Sequence, residues 1–77
     1  MAVEDTVKEV FQTVLDVKPD EIKPGDRLED SLGVDSTEMV EISVGLKKAL
    51  NVVLKDNELK KTHTFNEIVE ILKSKFA

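Results

Sequence analysis

A chain of 77 residues with 16 Asp and Glu against 11 Lys and Arg carries a net charge of −5. That balance argues against nucleic acid as a partner, because phosphate backbones are gripped by clustered cations. There is no cysteine, so no disulfide framework, thiolate metal site or thiol nucleophile is encoded, and any thiol chemistry needs an added group.

The opening segment places Val3, Val7, Val10, Phe11, Val14 and Leu15 at helical spacing, with Glu4, Lys8, Glu9 and Gln12 facing water. Acids stand where a secretory leader needs basic residues, and no apolar run is long enough to cross a bilayer, so a cytoplasmic protein is expected. Pro19, Pro24 and Gly25 then stop the helix. Val17 to Asp35 reads mostly as loop, pinned by Ile22, Leu28 and Leu32.

A second helix is predicted from Ser36 to about Leu50, with Asp35 as its cap and Glu38 closing a capping box. Met39, Ile42, Leu46, Leu50 and Val53 form its inner stripe. Glu38, Glu41, Gly45 and Lys48 lie opposite, and Val40 and Val44 sit at the flank. The stretch NVVLKDNELKKTH predicts a loop followed by a short helix over Asp56 to Lys61. Thr64 and Glu67 form a second capping box, opening a last helix with Phe65, Ile68, Val69, Leu72 and Phe76 at helical spacing. Phe11, Phe65 and Phe76 supply all the aromatic residues, so the core is mainly aliphatic.

The expected fold is all-α: a small four-helix bundle of three main helices plus a short third helix, with a long first loop. Residues 1–77 are expected to form one domain, because splitting so short a chain would leave neither half enough buried surface. A core this small rarely supplies more than about 3–5 kcal/mol net.

Ser36 is the residue with chemical promise. As a nucleophile it would need a base and a group to orient that base, yet the sole histidine, His63, stands beside the cap of the last helix. A lone histidine among scattered carboxylates has no metal-ligand spacing either, so neither a catalytic set nor a metal site is expected. As a substrate Ser36 is better placed: its hydroxyl projects at the positive end of a helix, beside unsatisfied amides, where a phosphate ester is favoured. Serine also begins helices with no further duty, and local chemistry leaves both readings open.

The segment LGVDSTEMVEI, Leu32 to Ile42, resembles the prosthetic-group site of acyl carrier proteins. The pattern in that family is a glycine, a variable residue and Asp-Ser-Leu, then acids and aliphatics along the second helix. Length, acidity, helix order, the long first loop and the absence of cysteine extend the resemblance over nearly the whole chain. It implies that a holo-carrier synthase, a phosphopantetheinyl transferase, moves 4′-phosphopantetheine from coenzyme A to the Ser36 hydroxyl. Acyl groups would then travel as thioesters on the terminal thiol of that arm, for fatty-acid or specialised lipid or secondary-metabolite biosynthesis.

The resemblance further implies an acyl pocket from Met39, Ile42, Leu46, Leu59, Ile68 and Leu72. Acyl-loading and acyl-transfer enzymes would dock through Asp35, Glu38 and Glu41 with Thr37, Met39, Val40 and Val44 alongside. Such a protein is a carrier and not an enzyme, and a monomer suits a shuttle. Two other readings stay open: an aminoacyl or peptidyl carrier with the same arm, and an unmodified helical interaction module.

Three departures from the family pattern stand out. Thr37 replaces the leucine after the serine, which shrinks an apolar contact with partner enzymes. Ser43 stands on the inner stripe, either bonding back to the Met39 carbonyl, the favoured reading, or offering the pocket a polar contact. Lys47 and Lys48, followed by Lys55, Lys60 and Lys61, replace acids expected late in the second helix. The halves accordingly differ, residues 1–41 having a net charge of −8 and residues 42–77 a net of +3. Like-charge contacts would reject partners with uniformly basic docking patches, which points to a specialised carrier.

Overall fold

In a computed structural model the structure describes residues 3–55 and 58–76. Among these residues four α-helices appear: α1 (Val3–Leu15), α2 (Leu28–Ser31), α3 (Ser36–Leu50) and α4 (Phe65–Ser74). A 3-10 turn covers Pro19–Glu21, where proline at the first position starts the turn with its φ already set. Among the described residues there is no strand, only an isolated antiparallel bridge between Arg27 and Thr64.

Each main helix starts and stops for a local reason. α3 and α4 begin with the predicted capping boxes, Asp35 with Glu38 and Thr64 with Glu67. α3 ends where Asn51 adopts a left-handed conformation at φ 54°, its amide bonding to the Lys47 carbonyl, a C-terminal arrangement that asparagine tolerates better than most residues. Asp16 plays the same part after α1, at φ 55°.

The core is one cluster. Val7, Phe11, Leu28, Ile42, Leu46, Ile68 and Leu72 are its largest fully buried side chains. α1 packs chiefly on α3 and also on α4, the second contact carrying a perpendicular ring pair, Phe11 on Phe65, with centroids 5.7 Å apart. Ile22, Leu28 and Val34 bury the long first loop, with Leu32 packed at the cluster's edge. Main-chain bonds hold the same loop to the segment before α4 and to the first turn of α4: the Leu28 amide donates to the His63 carbonyl, Glu29 to Lys61, and Asn66 to Pro24.

Four expectations need correction. The short helix lies at Leu28–Ser31, before α3, and not over Asp56 to Lys61. Asp56 and Asn57 fall outside the described residues, while Glu58 and Leu59 form a bend and Lys61 and Thr62 a turn. The short helix forms earlier because Leu28 finds the core there and main-chain partners hold the first turn. Val53 is 82% exposed and Phe76 57% exposed, both having been expected inside. Each lies beyond the end of its helix, so the periodicity that placed it inward no longer applies.

Gly45 does not face water. A Cβ at that position would stand 2.9 Å from Val10 Cγ1, so the missing side chain is what lets α1 and α3 approach closely.

Candidate functional site

Gly33, Asp35 and Glu38 together fix the entry to α3. Gly33 sits at φ 64°, a left-handed conformation that turns the chain from α2 toward the cap without steric cost. Asp35 Oδ1 then accepts from the Glu38 amide at 2.8 Å, and Glu38 Oε1 accepts from the Asp35 amide at 3.1 Å. Both carboxylates are therefore held in place at the head of the helix while still meeting solvent. Glu41, one turn on, is exposed and takes no part in the cap.

Ser36 is the first residue of α3 and is exposed. Among the described residues its hydroxyl has no hydrogen-bond partner. It borders a cleft of about 490 Å³ between α3 and the segment from Lys55 to Thr62. Met39, Val40, Val44 and Leu59 give that cleft an apolar floor, and Ser43, Thr62 and four lysines line the rest of it.

The sequence-predicted pocket divides in two. Met39 and Leu59 line the cleft, whereas Ile42, Leu46, Ile68 and Leu72 are 0% exposed and belong to the close-packed core beneath it. The same packing bears on the docking set. Asp35, Thr37, Val40, Glu41 and Val44 are exposed and Glu38 half-buried, whereas Met39 is buried. Ser43 makes no bond back to the Met39 carbonyl, the reading favoured from sequence; its hydroxyl faces the cleft wall without a described partner.

His63 is committed elsewhere. Its Nδ1 accepts from the Lys60 amide at 3.0 Å, closing a turn ahead of α4, and no hydrogen bond joins it to Ser36.

Sequence reasoning missed the lysine rim as a unit. Lys47 comes from α3, while Lys55, Lys60 and Lys61 come from the segment across the cleft. Only the fold brings them around one concavity.

A second feature shapes the far wall. Glu58 pairs with Lys75 just after α4 at 2.6 Å, with both side chains about three-quarters covered. The Lys75 hydrogen bond, then the bond from the Lys55 amide, hold the Glu58 carboxyl below its usual value. This pair ties the cleft's outer segment to the end of α4.

Comparison with known proteins identifies the family. The family profile described as the phosphopantetheine attachment site matches residues 5–72. An acyl carrier protein of Wolinella succinogenes is 32% identical over 74 residues, covering 96% of this chain and 97% of its own length. One from Campylobacter fetus subsp. fetus is 33% identical over 72 residues, 94% of each chain, and one from a Sulfurovum species is 30% identical over 74 residues, 96% of this chain and 99% of its own. The chain belongs to the family of acyl carrier proteins built around a phosphopantetheine attachment site.

Proposed function

We propose that Ser36 is the attachment residue and that the protein works as a single, monomeric, non-catalytic cytoplasmic carrier of acyl groups. The observation that carries this reading is an exposed, unpartnered serine hydroxyl at the first position of α3, opening on a cleft with an apolar floor. The residues suit the arm: amides at the head of α3 and the helix dipole favour the anionic phosphodiester that would form there. When bound, phosphopantetheine supplies the thiol that this sequence lacks.

The part played by the chain itself is to present and orient. In the transfer, Ser36 Oγ forms a bond to the phosphorus that bears the pantetheine. The bond from that phosphorus to the bridging oxygen of coenzyme A breaks, adenosine bisphosphate leaves, and the serine proton passes to a base on the transferase. The capping box holds α3 in register so that the hydroxyl points outward, and Asp35, Glu38 and Glu41 offer a carboxylate patch to a basic enzyme surface. No helix of the described residues is long and apolar enough to cross a membrane.

The lysines late in α3 support a specialised carrier over one serving bulk fatty-acid elongation, since a uniformly basic docking patch would meet repulsion there. Incubation with coenzyme A and a promiscuous phosphopantetheinyl transferase, followed by intact-mass measurement, tests the central assignment. The expected result is the added mass of one arm, abolished in Ser36→Ala. An unmodified wild-type chain would refute the carrier reading and leave an interaction module in its place.

A further inference from the structure

We infer that the cleft beside Ser36 selects acyl chains ending in a carboxylate, which its lysine rim receives while the methylenes lie on the apolar floor. This rests on the carrier reading above and adds the chemical class of the cargo.

Among the described residues bordering the cleft four are lysines, Lys47, Lys55, Lys60 and Lys61, and none is an acid, in a chain whose net charge is −5. None of the four forms a salt bridge with a described carboxylate, although Glu4 and Asp30 elsewhere find cationic partners; Glu58, next to the rim and within the field of Lys55, pairs with Lys75. The helix dipole accounts for Lys47 in the last turn of α3. It does not account for Lys55, Lys60 and Lys61, which lie outside any helix.

Lys47 and Lys61 are half-buried lining residues of the cleft, the arrangement in which a lysine covers apolar surface with its stem and keeps its charge in water. Cations gathered around a concave, partly apolar surface focus their field into it and repel one another until an anion enters. A saturated chain answers the floor of such a cleft and leaves the rim uncompensated. A chain with a distal carboxylate answers both.

Tethering favours cargo over a free acidic partner. Exposed lysine–carboxylate pairs are weak, but a group attached through Ser36 is present at a high effective concentration, so even weak pairs decide where it rests.

The test uses the full chain loaded from coenzyme A thioesters with two acyl groups of equal length, one a saturated monoacid and one the corresponding diacid half-thioester. Cleavage by hydroxylamine is timed for each and divided by the rate for the matching coenzyme A thioester. At low salt the diacid cargo should be cleaved about fivefold more slowly than the monoacid, the scale of one good exposed ion pair. The difference should vanish at high salt and in the variant Lys47→Gln/Lys55→Gln/Lys60→Gln/Lys61→Gln, whose fold is checked by circular dichroism. The lysine 13Cε resonances should shift with the diacid and stay in place with the monoacid.

Equal protection of both cargoes, or protection that survives in the glutamine variant, would overturn the inference while the carrier reading stands. Lysine resonances that respond only to an added loading enzyme would assign the rim to a partner and overturn it as well. Failure to gain the arm at all would sink the carrier reading first, and this inference with it.

Discussion

Asp35 serves two ends with one carboxylate. It caps α3 by accepting from the Glu38 amide, and it contributes charge beside Ser36. These roles separate by substitution. Asp35→Ala removes the cap and should cost about 1 kcal/mol in chemical denaturation, whereas Asp35→Asn keeps a good cap and should leave stability nearly unchanged while slowing prosthetic-group transfer. Glu38 is a poor probe of docking because it closes the box, so Glu41 is the cleaner one. Glu41→Lys should slow transfer at low salt, with the deficit shrinking as salt screens the encounter; a deficit independent of salt would count against steering. Residues of this kind were legible in the sequence because a capping box spans only four positions and both partners stand in the same short string. Gly45 was not legible, since its partner Val10 lies on another helix and nothing near Gly45 announces it.

Helix boundaries show the same division between local and distant causes. The limits of α3 and the start of α4 follow from caps written in adjacent residues, so they agree with expectation. The short helix was misplaced because its formation depends on the burial of Leu28 and on carbonyls from the segment before α4, which no periodicity encodes. The contact between α1 and α3 yields a sharp prediction. Alanine is favoured over glycine in a helix by about 1 kcal/mol, but overpacking against a neighbour typically costs about 1–3 kcal/mol. Val10 is β-branched and has few alternative rotamers, so it gives way poorly. Gly45→Ala should therefore lower the denaturation midpoint despite its better helix propensity; a higher midpoint would show that α1 shifts freely.

For the whole molecule, the margin is thin. Phe11 is fully buried and joins α1 to α4 through Phe65, and truncating such a ring typically costs about 3–5 kcal/mol, as much as the net stability of so small a core. Phe11→Ala should leave the chain largely unfolded at room temperature by circular dichroism. The Glu58–Lys75 pair adds a pH dependence of known sign. Its carboxyl titrates below the unfolded value, so the stabilisation is present above that value and is lost as pH falls through the folded one. The advantage of the wild type over Glu58→Gln should thus persist at neutral pH and disappear in acid. The candidate site was half legible at this scale: Ser36 and its acids stand together in one string, but the cleft exists only once residues twenty or so positions apart face each other.

The bonds that hold the first loop to the segment ahead of α4 and to the first turn of that helix run through main-chain atoms alone, from the Leu28, Glu29 and Asn66 amides to the His63, Lys61 and Pro24 carbonyls. Every residue type except proline carries the amide these bonds need, so the architecture there is largely indifferent to which other side chains project outward. The lip around the serine can accordingly change its charge from one descendant to another while the scaffold stays whole. A lineage of such proteins has room to retune what it transports without first having to relearn how to fold.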